Sequence, residues 1–145
     1  MFKHAPVNHP LRPVYRTIAA VASAVTVLIG AIGYFSTSSQ EYFAANDSKV
    51  LGLLGMNPGH ALLMVGSGVV MLLALLIGRN VDSTISFLLG CALMAVGTVG
   101  LLIMRTDANF LSYRMSNVIV AYVIGSLLMA AGLYLKSGRA AAAAH

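Results

Sequence analysis

GMNPGHALLMVGSGVVMLLALLIGRN, residues 55–80, decides the fold. Asn57-Pro58 is a helix-start signal, because an Asn side chain can accept from a first-turn N–H and proline tolerates the first helical position. From residue 58 to Gly78 there is no Asp, Glu, Lys or Arg. That is about the 20 residues an α-helix needs to cross a bilayer.

Working outward, three more blocks share this character: residues 18–35, 84–104 and 118–135 carry no charged side chain, and nor does the apolar run 61–78. The whole 145-residue chain is 59% hydrophobic and 9% charged. An ordinary soluble domain has about 25% charged residues. The expectation is an all-α, polytopic membrane protein. Four helices, over about residues 15–36, 58–78, 84–104 and 117–135, would form a compact bundle within residues 15–136. Residues 1–14, with Pro6, Pro10 and Pro13, read as a cytoplasmic tail. Residues 137–145 read as a low-complexity tail, in part an added tag, and enter no functional argument.

The net charge of +5 would suggest nucleic acid in a soluble protein, but here it reports topology, since cytoplasmic flanks collect Lys and Arg. With the N-terminus inside, Lys3, Arg12, Arg16, Arg79, Lys136 and Arg139 lie on the inner side, against Lys49, Arg105 and Arg114 outside. Both termini are therefore expected in the cytoplasm. A cleaved signal peptide competes for the first block. Its apolar core exceeds the usual length of about 7–15 residues, and an uncleaved helix is expected.

Small residues recur seven apart in every helix: Ser23/Gly30, Gly59/Gly66, Gly90/Gly97 and Gly125/Gly132. Lipid gives helices no hydrophobic reason to associate, so close approach over small residues must supply the packing. An internal repeat is also readable. Thr17-Ile18 and IGAIGY (29–34) match Thr84-Ile85 and VGTVGL (96–101) at an offset of 67, while Met56 and Gly66-Ser67 match Met115 and Gly125-Ser126 at an offset of 59. This reads as two parallel helical hairpins about an axis along the membrane normal; chance similarity of apolar helices would give the same matches. The outer loop between the first two helices brings Val50, Leu51, Leu53, Leu54 and Met56 together, as an interfacial helix or plug or as a simple lead-in to the second helix. Aromatic rings at the boundaries predict an outer belt of Tyr34, Phe35, Tyr42, Phe43, Phe110 and Tyr113, with Tyr15 and Tyr134 inside.

Candidate chemistry is sparse. His60 stands at the mouth of the second helix without a second His, Asp, Glu or Cys at i+3 or i+4, so neither a metal site nor a bis-His haem is expected within one chain. His60, Asn117 and Tyr122 are expected near one depth and form a candidate outer polar cluster, with Asn117 read as a helix cap. Cys91 is the one cysteine, which excludes an intramolecular disulfide and paired-cysteine redox chemistry. Glu41, Asp47, Asp82 and Asp107 fall in loops, whereas ion-coupled carriers place ionisable groups within the membrane. The eight methionines read as gap-fillers. No catalytic residue, cofactor or metal is expected.

Two functions remain open. One is a non-enzymatic accessory or interaction subunit of a membrane complex or homo-oligomer, with membrane lipids, other subunits or itself as partners and no nucleic acid. The other is a module that binds or transports a lipid or small apolar molecule through an outer polar entrance.

NPGHALLMVGSGVVMLLALLIGRN, the HPLRPVYR entry to the first helix (9–16) and the VLGLLGMN approach (50–57) resemble an uncharacterised family of small four-helix membrane proteins from actinobacteria. The resemblance covers about residues 9–137 and implies a fold and a source, with no assigned activity. Members often carry a further histidine in the last helix, preceded by an Asp. Here Asp107 is present and the last helix has no histidine, so the resemblance does not imply paired-histidine chemistry.

Overall fold

The computed structural model describes residues 5–138; Lys3, Arg139 and most of the C-terminal tail lie outside them. The order is α1 (Arg12–Thr37), β1 (Lys49–Val50), β2 (Leu54–Gly55), α2 (Pro58–Ile77), α3 (Val81–Ile103) and α4 (Met115–Tyr134). All four helices are long and apolar enough to cross a membrane. The chain is a multi-pass membrane protein, an all-α four-helix bundle. α1 packs most extensively on α2 and α3 on α4, with lesser α1–α4 and α2–α3 contacts.

α1 begins at Arg12, three residues ahead of the expected Tyr15, because Pro13 sits in the first helical positions, where its missing N–H is not needed. The bundle centre is made of Ala19, Ala22, Met71, Ala74, Leu75, Ile124, Leu128, Ala131 and Leu135. Alanines let the backbones approach, and Met71 and the leucines fill the remaining space. Buried hydroxyls bond within their own helix, Ser23 to Ala19 O (2.7 Å) and Thr26 to Ala22 O (2.8 Å). Two others cross helices, Ser83 to Gly132 O (2.6 Å) and Ser86 to Leu128 O (2.7 Å).

The glycines record the internal repeat most directly. A Cβ on Gly68 of α2 would lie 2.8 Å from Ser23 O of α1, and a Cβ on Gly125 of α4 would lie 3.0 Å from Gly90 O of α3. Gly33 receives the Met56 side chain; Gly100, 67 residues on, receives the ring of Tyr113, which is 57 residues beyond Met56. Arg16 donates to Leu75 O, and Ser83, at the same offset of 67, donates to Gly132 O, at the same offset of 57. Two helical hairpins thus repeat about a pseudo-twofold axis along the bundle. The second pair of helices corresponds at 57 residues rather than at the 59 suggested by sequence matches. The match of Gly66 to Gly125 fails because Gly66 faces outward with nothing within 4 Å of its Cβ position. Gly59 does not face a helix either; it is packed beneath Phe43 and Tyr42 of the long loop.

The loop between α1 and α2 forms a small antiparallel β-hairpin rather than an interfacial helix, with Val50 paired to Leu54. Leu51 (φ 54°) and Gly52 (φ 72°) both take left-handed conformations, which break a helix and reverse the chain. Val50 and Leu54 turn inward, and Leu51 and Leu53 are exposed.

At the opposite end, where both termini lie, Gly78, Arg79 and Asn80 take positive φ in succession (63°, 53° and 69°). This reversal is so short that α3 starts at Val81, and Asp82, expected in a loop, occupies the first turn of α3. A carboxylate is favoured there by the helix dipole. Asp82 is fully enclosed and takes Arg16 Nη1 at 3.1 Å and Arg12 Nη2 at 3.4 Å. The same arginines reach unsatisfied carbonyls at two helix C-termini: Arg12 Nε to Leu135 O (2.8 Å) and Arg16 Nη2 to Leu75 O. One ion cluster therefore ties together the ends of all four helices.

Candidate functional site

At the loop end the connections must be closed without charges, and asparagines do this. Asn57 caps α2, its Oδ1 accepting His60 N at 2.9 Å. Its Nδ2 donates to Phe110 O (2.7 Å) and to Ala44 O (3.1 Å), joining both long loops. Asn46 donates to Met56 O (3.0 Å) and exchanges hydrogen bonds with Ser112. Asn109 donates to Met104 O and Tyr113 O and accepts Tyr113 N at 2.7 Å. An asparagine offers two donors and an acceptor in one plane, so each can satisfy backbone groups of two segments at once. In an apolar setting this removes the desolvation cost of the loop peptides.

Asn117 is the N3 residue of α4, not its N-cap. Its Oδ1 accepts Arg114 N and Gly55 N, both at 3.0 Å, and its Nδ2 donates to Gly55 O at 2.8 Å. The sequence reading placed α4 two residues too late, because Met115 and Ser116 give no start signal. His60 is the N3 residue of α2 and so occupies the position corresponding to Asn117 in the repeat. Each reaches across to the other hairpin's approach segment: Asn117 to Gly55, and His60 Nδ1 to Leu111 O at 3.0 Å. A carbonyl only accepts, so Nδ1 carries the proton and Nε2 is left as an acceptor.

Beneath this cap lies a cavity of about 30 Å³, lined by Thr26, Leu54, His60, Met64, Leu93, Tyr113, Asn117, Val120, Ala121 and Ile124. Every fully enclosed side-chain nitrogen and oxygen among the described residues is hydrogen-bonded. Nε2 of His60 has no hydrogen-bond partner among the described residues and so is not fully enclosed, and His60 lines the cavity. Tyr113 stacks on the imidazole with ring centroids 5.0 Å apart and planes 16° from parallel. Expected in the outer aromatic belt, Tyr113 is instead buried, because Gly100 leaves a flat seat for its ring. Burial pushes its phenol up to about 12.

The structure therefore brings His60 and Asn117 to one cavity and leaves Tyr122 out of it; Tyr122 is half-buried, with its OH 2.9 Å from Thr98 Oγ1 on the α3 side. Tyr113, Thr26 and Met64 are site residues that sequence reasoning missed. A methionine at i+4 from His60 and a Gly100 to receive an aromatic ring were the readable signals. Among the described residues no group of three or more His, Cys, Asp or Glu side chains could hold a metal ion.

On the lipid-facing side, α1 and α4 leave a shallow apolar groove of about 420 Å³ between Thr17, Ile18, Val21 and Val25 and, opposite, Val123 and Leu127.

No curated protein and no solved structure compared with the chain matches it. A family model described as a domain of unknown function, DUF4383, matches residues 16–134, from the first turns of α1 to the end of α4. That span takes in α2, α3, α4 and all but the first four residues of α1, and the chain belongs to this family of unknown function.

Proposed function

We propose that this protein is a non-enzymatic interaction subunit of a bacterial cytoplasmic membrane, in an actinobacterial setting, with both termini inside. The observation that carries this reading is the α1–α4 groove. Its walls are mostly β-branched side chains, which lose little rotamer freedom when another helix packs on them. In lipid such preformed shape is a main source of helix association. The occupant is a transmembrane helix of a second copy or of another subunit. The loop-end cap supports the reading further, since the cavity beneath it is about 30 Å³ and small-molecule sites run to about 300–1,000 Å³. A lipid or apolar ligand of ordinary size would therefore not fit under the loop-end cap and would have to lie in the lipid-facing groove, where it would compete with a partner helix.

The test is association in mild detergent and in nanodiscs. Val21→Trp, which fills an exposed position in the groove, should abolish self-association or co-purification of a partner while leaving helix content and thermal stability unchanged. A wild-type chain that stays monomeric and co-purifies with no protein overturns the proposal. For topology, terminal tags should resist protease added to right-side-out cells; digestion of both would reverse the orientation.

A further inference from the structure

We infer that His60 and Met64 form a binding site for a soft monovalent metal ion, Cu(I) or Ag(I), in the cavity under the loop-end cap. The two residues are one turn apart on α2, which places their side chains on the same helix face, and both line the cavity. His60 has the setting of a metal-ligating histidine. Such residues hold one ring nitrogen on a carbonyl or carboxylate, which fixes the tautomer and aims the other nitrogen at the ion. Here Nδ1–H is held by Leu111 O at 3.0 Å, the Tyr113 ring braces one imidazole face, and Nε2, without a partner among the described residues, is the nitrogen left for a ligand.

The lining selects the class of ion. It holds no carboxylate, so hard cations such as Mg²⁺ and Ca²⁺ lack their oxygen ligands. Zinc takes about four ligands from Cys, His and carboxylate in structural sites and about three in catalytic ones; the lining supplies one. An imidazole with a thioether suits Cu(I), and soft ions accept low coordination. The charge is also limited. The lining is neutral, and α2 and α4 both begin at this end, so their positive poles oppose a cation and weigh twice as heavily on a divalent one. The cavity, about 30 Å³, has room for a single ion.

The test is titration of the detergent-solubilised full chain with Ag(I), a probe that needs no reductant. A Cys91→Ala background removes the thiol, which would otherwise compete. One Ag(I) should bind per chain by native mass spectrometry, and the Met64 methyl resonance should shift. Met64→Leu conserves volume and therefore the fold. It should weaken binding at least by the ~10-fold that loss of an outer-shell partner costs at metal sites, and His60→Ala should do the same. Met71→Leu, in the bundle centre and away from the cavity, should bind as the Cys91→Ala parent does. Absence of stoichiometric binding, or a Met64→Leu chain with parental affinity, overturns the site and leaves the cavity to an ordered water.

Discussion

Asp82 shows how one side chain can carry the energetics of a helix end. It is fully enclosed, while the arginine side chains bonded to it are 28% and 38% exposed. Breaking a fully buried pair costs about 3–5 kcal/mol; partial exposure of the arginines lowers the expectation for Asp82→Asn to about 2–3 kcal/mol, read as a drop in unfolding midpoint in detergent. Arg16→Lys should fall between the two, since one ammonium cannot span both Asp82 and Leu75 O. Tyr113 gives a second prediction with a definite sign. Its folded phenol titrates near 12 and an unfolded one near 10. Folding is therefore undisturbed below about pH 10, and stability falls as pH rises from there through 12, because the folded state retains a proton that the unfolded chain releases. Ultraviolet titration of wild type and Tyr113→Phe should differ by one late-ionising tyrosine, and the alkaline loss should be smaller in the variant. Neither role is legible locally. Asp82 lies four residues beyond the apparent helix stop at Gly78, and Tyr113 lies in a loop where rings ordinarily face the interface.

Among the elements, the glycine positions separate packing from mere abundance. A Cβ at Gly90 would come 2.5 Å from Met129 N and 2.6 Å from Gly125 O, both backbone atoms, whereas Gly66 has open space. Gly90→Ala should thus destabilise the α3–α4 pair by roughly 1–3 kcal/mol. Gly66→Ala should be neutral or stabilising by up to about 1 kcal/mol, since alanine is the better helix former. Comparison of the two in the same detergent checks the pair. Of the residues in the seven-residue spacing, Gly30, Gly90, Gly97, Gly125 and Gly132 have a neighbouring helix within 3.1 Å of the Cβ position, and Ser23 is buried. The spacing misread α2 because lipid-facing glycine has the same spelling as packed glycine, and the contact made by Gly68 lies two residues away. The β-hairpin was hidden for another reason: two paired residues per strand leave no alternation long enough to read.

For the molecule as a whole, four charge-free blocks made the bundle legible, since crossing a bilayer constrains composition more strongly than any soluble fold does. The repeat was legible in α1 and α3, where the spacing of glycines is kept, and was misaligned in α2 and α4 and their approach segments, where the real correspondences pair unlike residues: Met56 with Tyr113 and His60 with Asn117. The loop-end cavity was only half visible, because its walls come from all four helices and from Leu54 of the β-hairpin. One consequence of the two unlike ends concerns the solution around them. The Asp82 cluster is ionic and partly wet, so salt screens it, with a Debye length of about 3 Å at 1 M. The asparagine cap is neutral and should be indifferent to salt. Raising ionic strength is therefore expected to speed amide exchange in the first turn of α3 and the last turns of α2 and α4, and to leave residues 55–60 and 109–117 unchanged. The bundle is a rod whose two tips answer to different variables, and ionic strength loosens only one of them.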